Sequence, residues 1–168
     1  MPSSVKIRKI NIPGKIGIKD DFLEAARSIS SMPVEHSVVF DAGGNVLERN
    51  TSEEKNRVIL WHSDLFRLSG KIFMHNHPAG TSFSLSDIHA ACMLEMAGMI
   101  AVTKKHIYCL FPHEENDTFT RGDYQDIVRC YTIRCRMLPA SQRFKSPDRA
   151  WEHVAIDMGL RYMRITFS

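Results

Sequence analysis

The hydrophobic pattern changes period between residues 71 and 96, and that change limits the fold more than any other feature of the chain. Ile72, Phe73 and Met74 make a short apolar run that ends in polar residues, the pattern of a buried strand delivering its C-terminal end to a site. Pro78 and Gly80 then break the run. From Ser84 onward Leu85, Ile88, Cys92 and Met96 recur at helical spacing and predict a helix over 84–96 with one buried stripe. A buried strand followed by a tight turn and an amphipathic helix is a building block of α/β domains.

The flanking segments extend the same alternation. Phe22, Ala26 and Ile29 share a face of a helix expected over 20–31, with Pro33 just past its end. Residues 34–41, rich in β-formers at Val38, Val39 and Phe40, read as a strand. The group Asp41-Ala42-Gly43-Gly44-Asn45 tolerates positive φ and predicts a hairpin returning through Val46 and Leu47. A further strand is expected over 100–110, a helix over 123–137 and a last helix over 146–161. The fold class is therefore α/β, a mixed central sheet flanked by helices with a helical C-terminal extension. The prolines at 139 and 147 separate a main domain, 1–138, from an appendage, 139–168, expected to pack on the same domain.

Composition agrees with an ordinary globular domain, since 43% of the 168 residues are hydrophobic and 24% charged. Twenty-two basic and 19 acidic residues leave a net charge of +3, too balanced to announce a nucleic-acid partner. From Arg121 to Ser168 nine Lys or Arg stand against five acids, a tilt read first as a solvated helix face. No apolar run reaches the ~18 residues of a membrane span, and no signal peptide opens the chain, so a cytoplasmic protein is expected. Cys92, Cys109, Cys130 and Cys135 lie in apolar stretches without CxxC pairing and read as reduced core residues.

The chemistry gathers at the end of the 71–76 strand. His75 and His77 lie two apart and so project from one face, where they can grip one ion. Asp87 can join them if the turn through Pro78 and Gly80 folds the next helix over the strand end. Two imidazoles and a carboxylate are a donor set suited to Zn²⁺, and three protein ligands leave a fourth position for water. Ser84 and Asp87 also have the spacing of a helix capping pair, a purely structural reading compatible with the metal reading. His62, His89, His106, His113 and His153 fall outside this constellation. His89 in particular lies two residues past Asp87, so a helix turns it about 200° away.

The run His75-Asn76-His77-Pro78-Ala79-Gly80, followed by Ser84-Leu85-Ser86-Asp87, resembles the signature of the JAMM (JAB/MPN-plus) zinc metalloproteases. Its wording is closest to the bacterial branch that includes RadC-like proteins and the JAB domains of phage and mobile elements. The similarity covers roughly residues 32–112, and Asp87 stands one position closer to the second histidine than is usual in that family. The resemblance implies a JAB/MPN-like, cytidine-deaminase-like fold, with His75, His77 and Asp87 holding zinc and Ser84 positioning the reacting carbonyl. It also implies an upstream glutamate as general base, for which Glu24, Glu35, Glu48, Glu53 and Glu54 are available. Glu35 fits best, because it opens a strand that runs into a hairpin, as the family's glutamate does; Glu48, bordering the same hairpin, comes second.

The implied activity is hydrolysis of a peptide bond or an isopeptide bond, on a protein or peptide substrate that could be a ubiquitin-like conjugate. The competing expectation from another class is a non-hydrolytic or DNA-associated RadC-like accessory protein that keeps the zinc site, favoured by the arginines of the C-terminal third. A third is a phage or mobile-element protein that trims particle components. A zinc deaminase is excluded, because no PCxxC segment follows the histidines.

Overall fold

The structure, a computed structural model, describes residues 5–10, 20–51, 65–143 and 147–167. Seven strands form one mixed sheet. In chain order the elements are β1 (Lys6–Ile10), α1 (Asp20–Ser30), β2 (His36–Phe40), β3 (Val46–Thr51), α2 (Leu65–Leu68), β4 (Ile72–Asn76), α3 (Leu85–Met93), β5 (Gly98–Val102), β6 (His106–His113), α4 (Asp123–Met137), α5 (Ala140–Arg143), α6 (Pro147–Met158) and β7 (Leu160–Thr166). Across the sheet the strands run β1-β7-β6-β5-β4-β2-β3. Every neighbouring pair is antiparallel except β4 and β5, which are parallel and joined through α3. A parallel pair needs such a crossover, so the period change in the sequence marks a βαβ unit.

Each face of the sheet buries its own core. Val38, Phe40, Ile72, Met74, Ile100, Val102 and Ile107 pack against Phe22, Ala25, Ala26 and Ile29 of α1. Their strand neighbours Val39, Phe73, Met99, Ala101 and Tyr108 point the other way, into a core shared with Ile88 of α3, Ile127 of α4 and Trp151 of α6. Period-two alternation on strands buried from both sides produces this three-layer arrangement. The mixed α/β architecture expected from the sequence is present.

Several expected boundaries shift, each for a local reason. The strand expected over 100–110 is a hairpin of β5 and β6, turned at residues 103–105. Thr103 closes that turn without glycine, its Oγ1 accepting from the N–H groups of Lys105 (3.3 Å) and His106 (3.0 Å). The helix expected over 146–161 stops at Met158, because Gly159 takes φ +66°, and the chain continues as β7. The C-terminal segment is thus not wholly helical: β7 lies between β1 and β6, and neither β7 nor β1 was expected from the sequence. Two of the four cysteines, Cys92 and Cys109, are core residues as expected, whereas Cys130 and Cys135 are only half-buried on α4; all four are free thiols. Among the described residues no helix is long and apolar enough to cross a membrane.

The helix expected over 84–96 closes earlier, in a Schellman motif. The Met96 N–H donates to the Ala91 carbonyl at 2.9 Å and the Glu95 N–H to the Cys92 carbonyl at 3.3 Å. Glu95 holds the left-handed position, φ +51°, where glycine is usual, and the fully buried Met96 supplies the accompanying apolar contact. A side chain in that region costs roughly 1–2 kcal/mol. Glu95→Gly is therefore expected to raise stability by about 1 kcal/mol, seen as a higher denaturant midpoint with unchanged slope; a lower midpoint would mean that the Glu95 side chain makes contacts worth more than the strain.

Candidate metal centre

His75 and His77 leave the C-terminal end of β4 on the face covered by α3, α4 and α6, two positions on from Phe73. Both are largely buried, with 4% and 9% of their side chains exposed. Past His77 the chain turns through Gly80, φ +82°, whose N–H donates to the His77 carbonyl at 2.9 Å. It returns so that the Thr81 carbonyl accepts from the His77 ring at Nδ1, 2.8 Å away. A carbonyl can only accept, so the ring proton sits on Nδ1 and neutral His77 presents a lone pair at Nε2.

Ser84 then caps α3, its Oγ accepting from the Asp87 N–H at 3.1 Å, while Asp87 Oδ2 accepts from the Ser84 N–H at 2.8 Å. This reciprocal capping box fixes the Asp87 rotamer. It aims the carboxylate at the two rings, with Oδ1 3.1 Å from His75 Nε2 and Oδ2 3.3 Å from His77 Nε2. The two Nε2 atoms are themselves 2.7 Å apart. His75, His77 and Asp87 thus form one group whose donor atoms all lie within 4.8 Å of each other, a group that could hold a metal ion.

The donor chemistry fits that use. Lone pairs from two imidazoles and a carboxylate converge in a largely buried space, where one shared proton can link only some of them and a divalent cation satisfies all at once. His77 already has the outer hydrogen bond that orients a metal-binding imidazole. His75 lacks one: its Nδ1 is buried without a hydrogen-bond partner among the described residues.

Glu35, only 8% exposed, immediately precedes β2. The β2–β4 ladder pairs Ser37 with His75 and Val38 with Met74, so the same register carried two residues further sets Glu35 across from His77. Its charge acts on the His77 ring. The runner-up, Glu48, faces Val39 further along the hairpin and is held by the Arg67 guanidinium and by the Asn50 amide at 3.0 Å. Glu24 is exposed on α1, on the opposite side of the sheet, and Glu53 and Glu54 lie outside the described residues. The structure thus brings together His75, His77, Asp87 and Ser84, with Glu35 beside them.

The remaining histidines are elsewhere. His89 packs edge-on against Tyr124, His106 bonds Thr166, His113 accepts from the Glu115 N–H, His153 is exposed and His62 lies outside the described residues. Three residues near the site escaped the sequence reading. Thr81 orients His77 as above; Asn76 grips the segment that carries Glu35; and the buried Trp151 of α6 donates from Nε1 to the Phe83 carbonyl at 3.1 Å, bracing the loop before Ser84. Asn76 alone left a signal, its place between the two histidines. Comparison with family models, with curated proteins and with solved structures finds no match, so the site is read from its own geometry.

The site's charges set its response to pH. Burial alone pulls the His77 ring down, but hydrogen bonding and attraction from Asp87, the Thr81 carbonyl and the Glu35 charge outweigh it and raise the ring above its ordinary 6.5. Burial likewise pushes the Asp87 carboxyl up, yet His75 and His77 override it and hold it far below its ordinary 3.8. A raised imidazole stabilises the metal-free fold below its unfolded value and loses that contribution as pH rises through the folded one; a depressed carboxyl contributes above its unfolded value and loses it as pH falls. The metal-free site therefore contributes most between 3.8 and 6.5. A divalent metal needs both rings deprotonated. Added zinc is accordingly expected to raise the melting temperature much more at pH 8 than at pH 5, and a larger gain in acid would contradict the assignment.

Proposed function

We propose that this protein is a zinc-dependent hydrolase of the JAMM type that cleaves a peptide or isopeptide bond, on a JAB/MPN-like, cytidine-deaminase-like fold. The observation that carries the reading is the convergence of His75, His77 and Asp87 on one point with a buried glutamate across the ladder from His77. Two nitrogens and one oxygen suit zinc better than magnesium or calcium, which prefer all-oxygen shells. Three protein ligands rather than four are the pattern of a catalytic site. Zinc bound there supplies Lewis acidity for the scissile carbonyl and for the attacking water.

The chain's own groups then divide the proton work. Glu35 takes a proton from the attacking water and delivers it to the leaving amine, a task for which its position beside His77 suits it. Ser84 caps α3 through an oxygen lone pair, which leaves its O–H free to donate to the developing oxyanion. Ser84 is exposed, as a substrate-facing donor must be. The substrate class is a protein or peptide carrying an accessible amide, a ubiquitin-like conjugate among them. A nucleic-acid role is less well supported, since Arg134 and Arg164 of the basic C-terminal third engage Asp157 and Glu152.

Protein purified without chelator is expected to carry one zinc per chain. His77→Ala is expected to lose it, measured by elemental analysis, because two remaining ligands hold zinc poorly. Glu35→Gln is expected to leave zinc bound, at reduced affinity, and to lose hydrolysis of peptides identified by a proteomic cleavage screen, whereas Glu48→Gln does little. Dependence on Glu48 with a dispensable Glu35 would reassign the base.

The two roles of Ser84 separate by substitution. Ser84→Ala is expected to cost about 1 kcal/mol of stability and roughly a hundredfold to a thousandfold in turnover. Ser84→Asp restores the cap but sets a like charge beside the oxyanion, so melting temperature recovers and turnover does not. Turnover that follows stability through both variants would leave Ser84 as a cap alone.

A further inference from the structure

Asn76 sits between the two histidines, fully buried, and strand alternation turns its side chain to the opposite face of the sheet. There it makes three hydrogen bonds, both Nδ2 donors and one Oδ1 lone pair, to one short segment. Its Oδ1 accepts from the His36 N–H at 2.5 Å, and its Nδ2 donates to the Val34 carbonyl at 3.0 Å and the Met32 carbonyl at 3.3 Å. These partners lie more than forty residues away in sequence, apart from His36 at forty, and they bracket Glu35 on both sides.

The segment needs such a grip. It lies between the end of α1 at Ser30 and the start of β2 at His36, outside any helix or strand, and Pro33 within it has no N–H to donate. The backbone is thus held at a point where regular structure does not hold it, and the residue held is Glu35.

We propose that Asn76 is the positioning residue of Glu35: through the Val34 carbonyl and the His36 N–H it fixes the backbone on either side of Glu35 and thereby sets the carboxylate across from His77. This rests on the reading that Glu35 serves the metal centre. Strand β4 and the residue that follows it present both halves of the device, with His75 and His77 facing the metal site on one side and Asn76 fastening the general base's backbone from the other. Other side chains do not substitute. Aspartate keeps the acceptor for His36 but opposes oxygen to the Met32 and Val34 carbonyls, and alanine offers nothing.

A double-mutant cycle on zinc affinity tests this without any substrate. Glu35→Gln removes a charge that acts on His77 and is expected to weaken zinc binding roughly tenfold, the scale of outer contacts to metal ligands. In an Asn76→Ala background the same substitution is expected to change affinity by less than about twofold, because the carboxylate is no longer held there. Hydrogen exchange at the His36 amide is expected to quicken in Asn76→Ala while the amides of β5 keep their protection. In the zinc-loaded protein, turnover on a peptide found in the cleavage screen falls roughly a hundredfold at little-changed KM, the cost of a misplaced base.

A full Glu35→Gln penalty in the Asn76→Ala background would overturn the positioning role and leave the hydrolase reading intact. A Glu35→Gln variant with unaltered zinc affinity and unaltered turnover would overturn both. If Asn76→Ala does not fold, exchange in the unmutated protein decides: protected Asn76 side-chain and His36 backbone amides support the grip, and fast exchange at both refutes it.

Discussion

The register between β2 and β4 is the constraint on which the site depends. Pairing Ser37 with His75 sets the side chains of Ser37, Val39, Phe73 and His75 toward one core and those of Val38, Phe40, Ile72 and Met74 toward the other. A slip by one residue would exchange every one of these faces. It would send Glu35 to the α1 side, away from the histidines, and set Asn76 against groups it does not now meet. Burial on both faces penalises that slip, because Phe40 and Phe73 each fill a separate core. Hydrophobic pairing thus selects the alignment, and the polar residues at the strand ends inherit it.

The second fixed point is the Asp87 carboxylate, where a local rule and a long-range demand coincide. At the third position of α3 a carboxylate accepts from the cap backbone and sits favourably at the positive end of the helix. The same rotamer faces His75 and His77. A carboxylate tied down by its own helix start would lose little further freedom if a metal bound, which is the preorganisation such a donor requires. The arrangement also makes the metal-free state a tight one, since the carboxylate and the rings already attract each other and a metal must displace the proton they share.

Much of this was legible in the sequence because it is local. The strand run 72–74, the Pro78 and Gly80 break and the helical stripe behind Ser84 specify a strand–turn–helix unit at short range, and the metal group lies within it. Helix α4 was bounded correctly for the same reason. The misses are of a different kind. The apolar run through Ile100 and Leu110 is interrupted by Thr103, Lys104, Lys105 and His106, with no glycine or proline to announce a turn, since the Thr103 hydroxyl does the work of both. Strand β7 follows a true helix after a single glycine, and its first residues, Leu160 and Arg161, read as the end of that helix. Strand β1 is short and charged, and among the described residues it pairs with β7 alone. Contacts that span the chain, such as Asn76 to Val34 or Trp151 to Phe83, leave no periodic trace.

Those long-range contacts make the C-terminal segment part of the site's support. Strand β7 is the partner of both β1 and β6, so its ladder carries one edge of the sheet. On α6 the buried Glu152 lies 3.0 Å from Arg8 of β1 and 3.6 Å from Arg164 of β7, two arginines directly opposite each other in the ladder. Without Glu152 those like charges would repel across the pair. Next to Glu152 on α6, Trp151 stacks on Tyr131 of α4 and holds the carbonyl of Phe83, the residue before the cap of α3. A helix anchored through a buried carboxylate at one edge of the sheet therefore fixes, through its neighbouring indole, the loop that carries Ser84 and Asp87 to the histidines. Rigidity at the candidate metal centre is in this way supplied from more than sixty residues downstream of the loop it steadies.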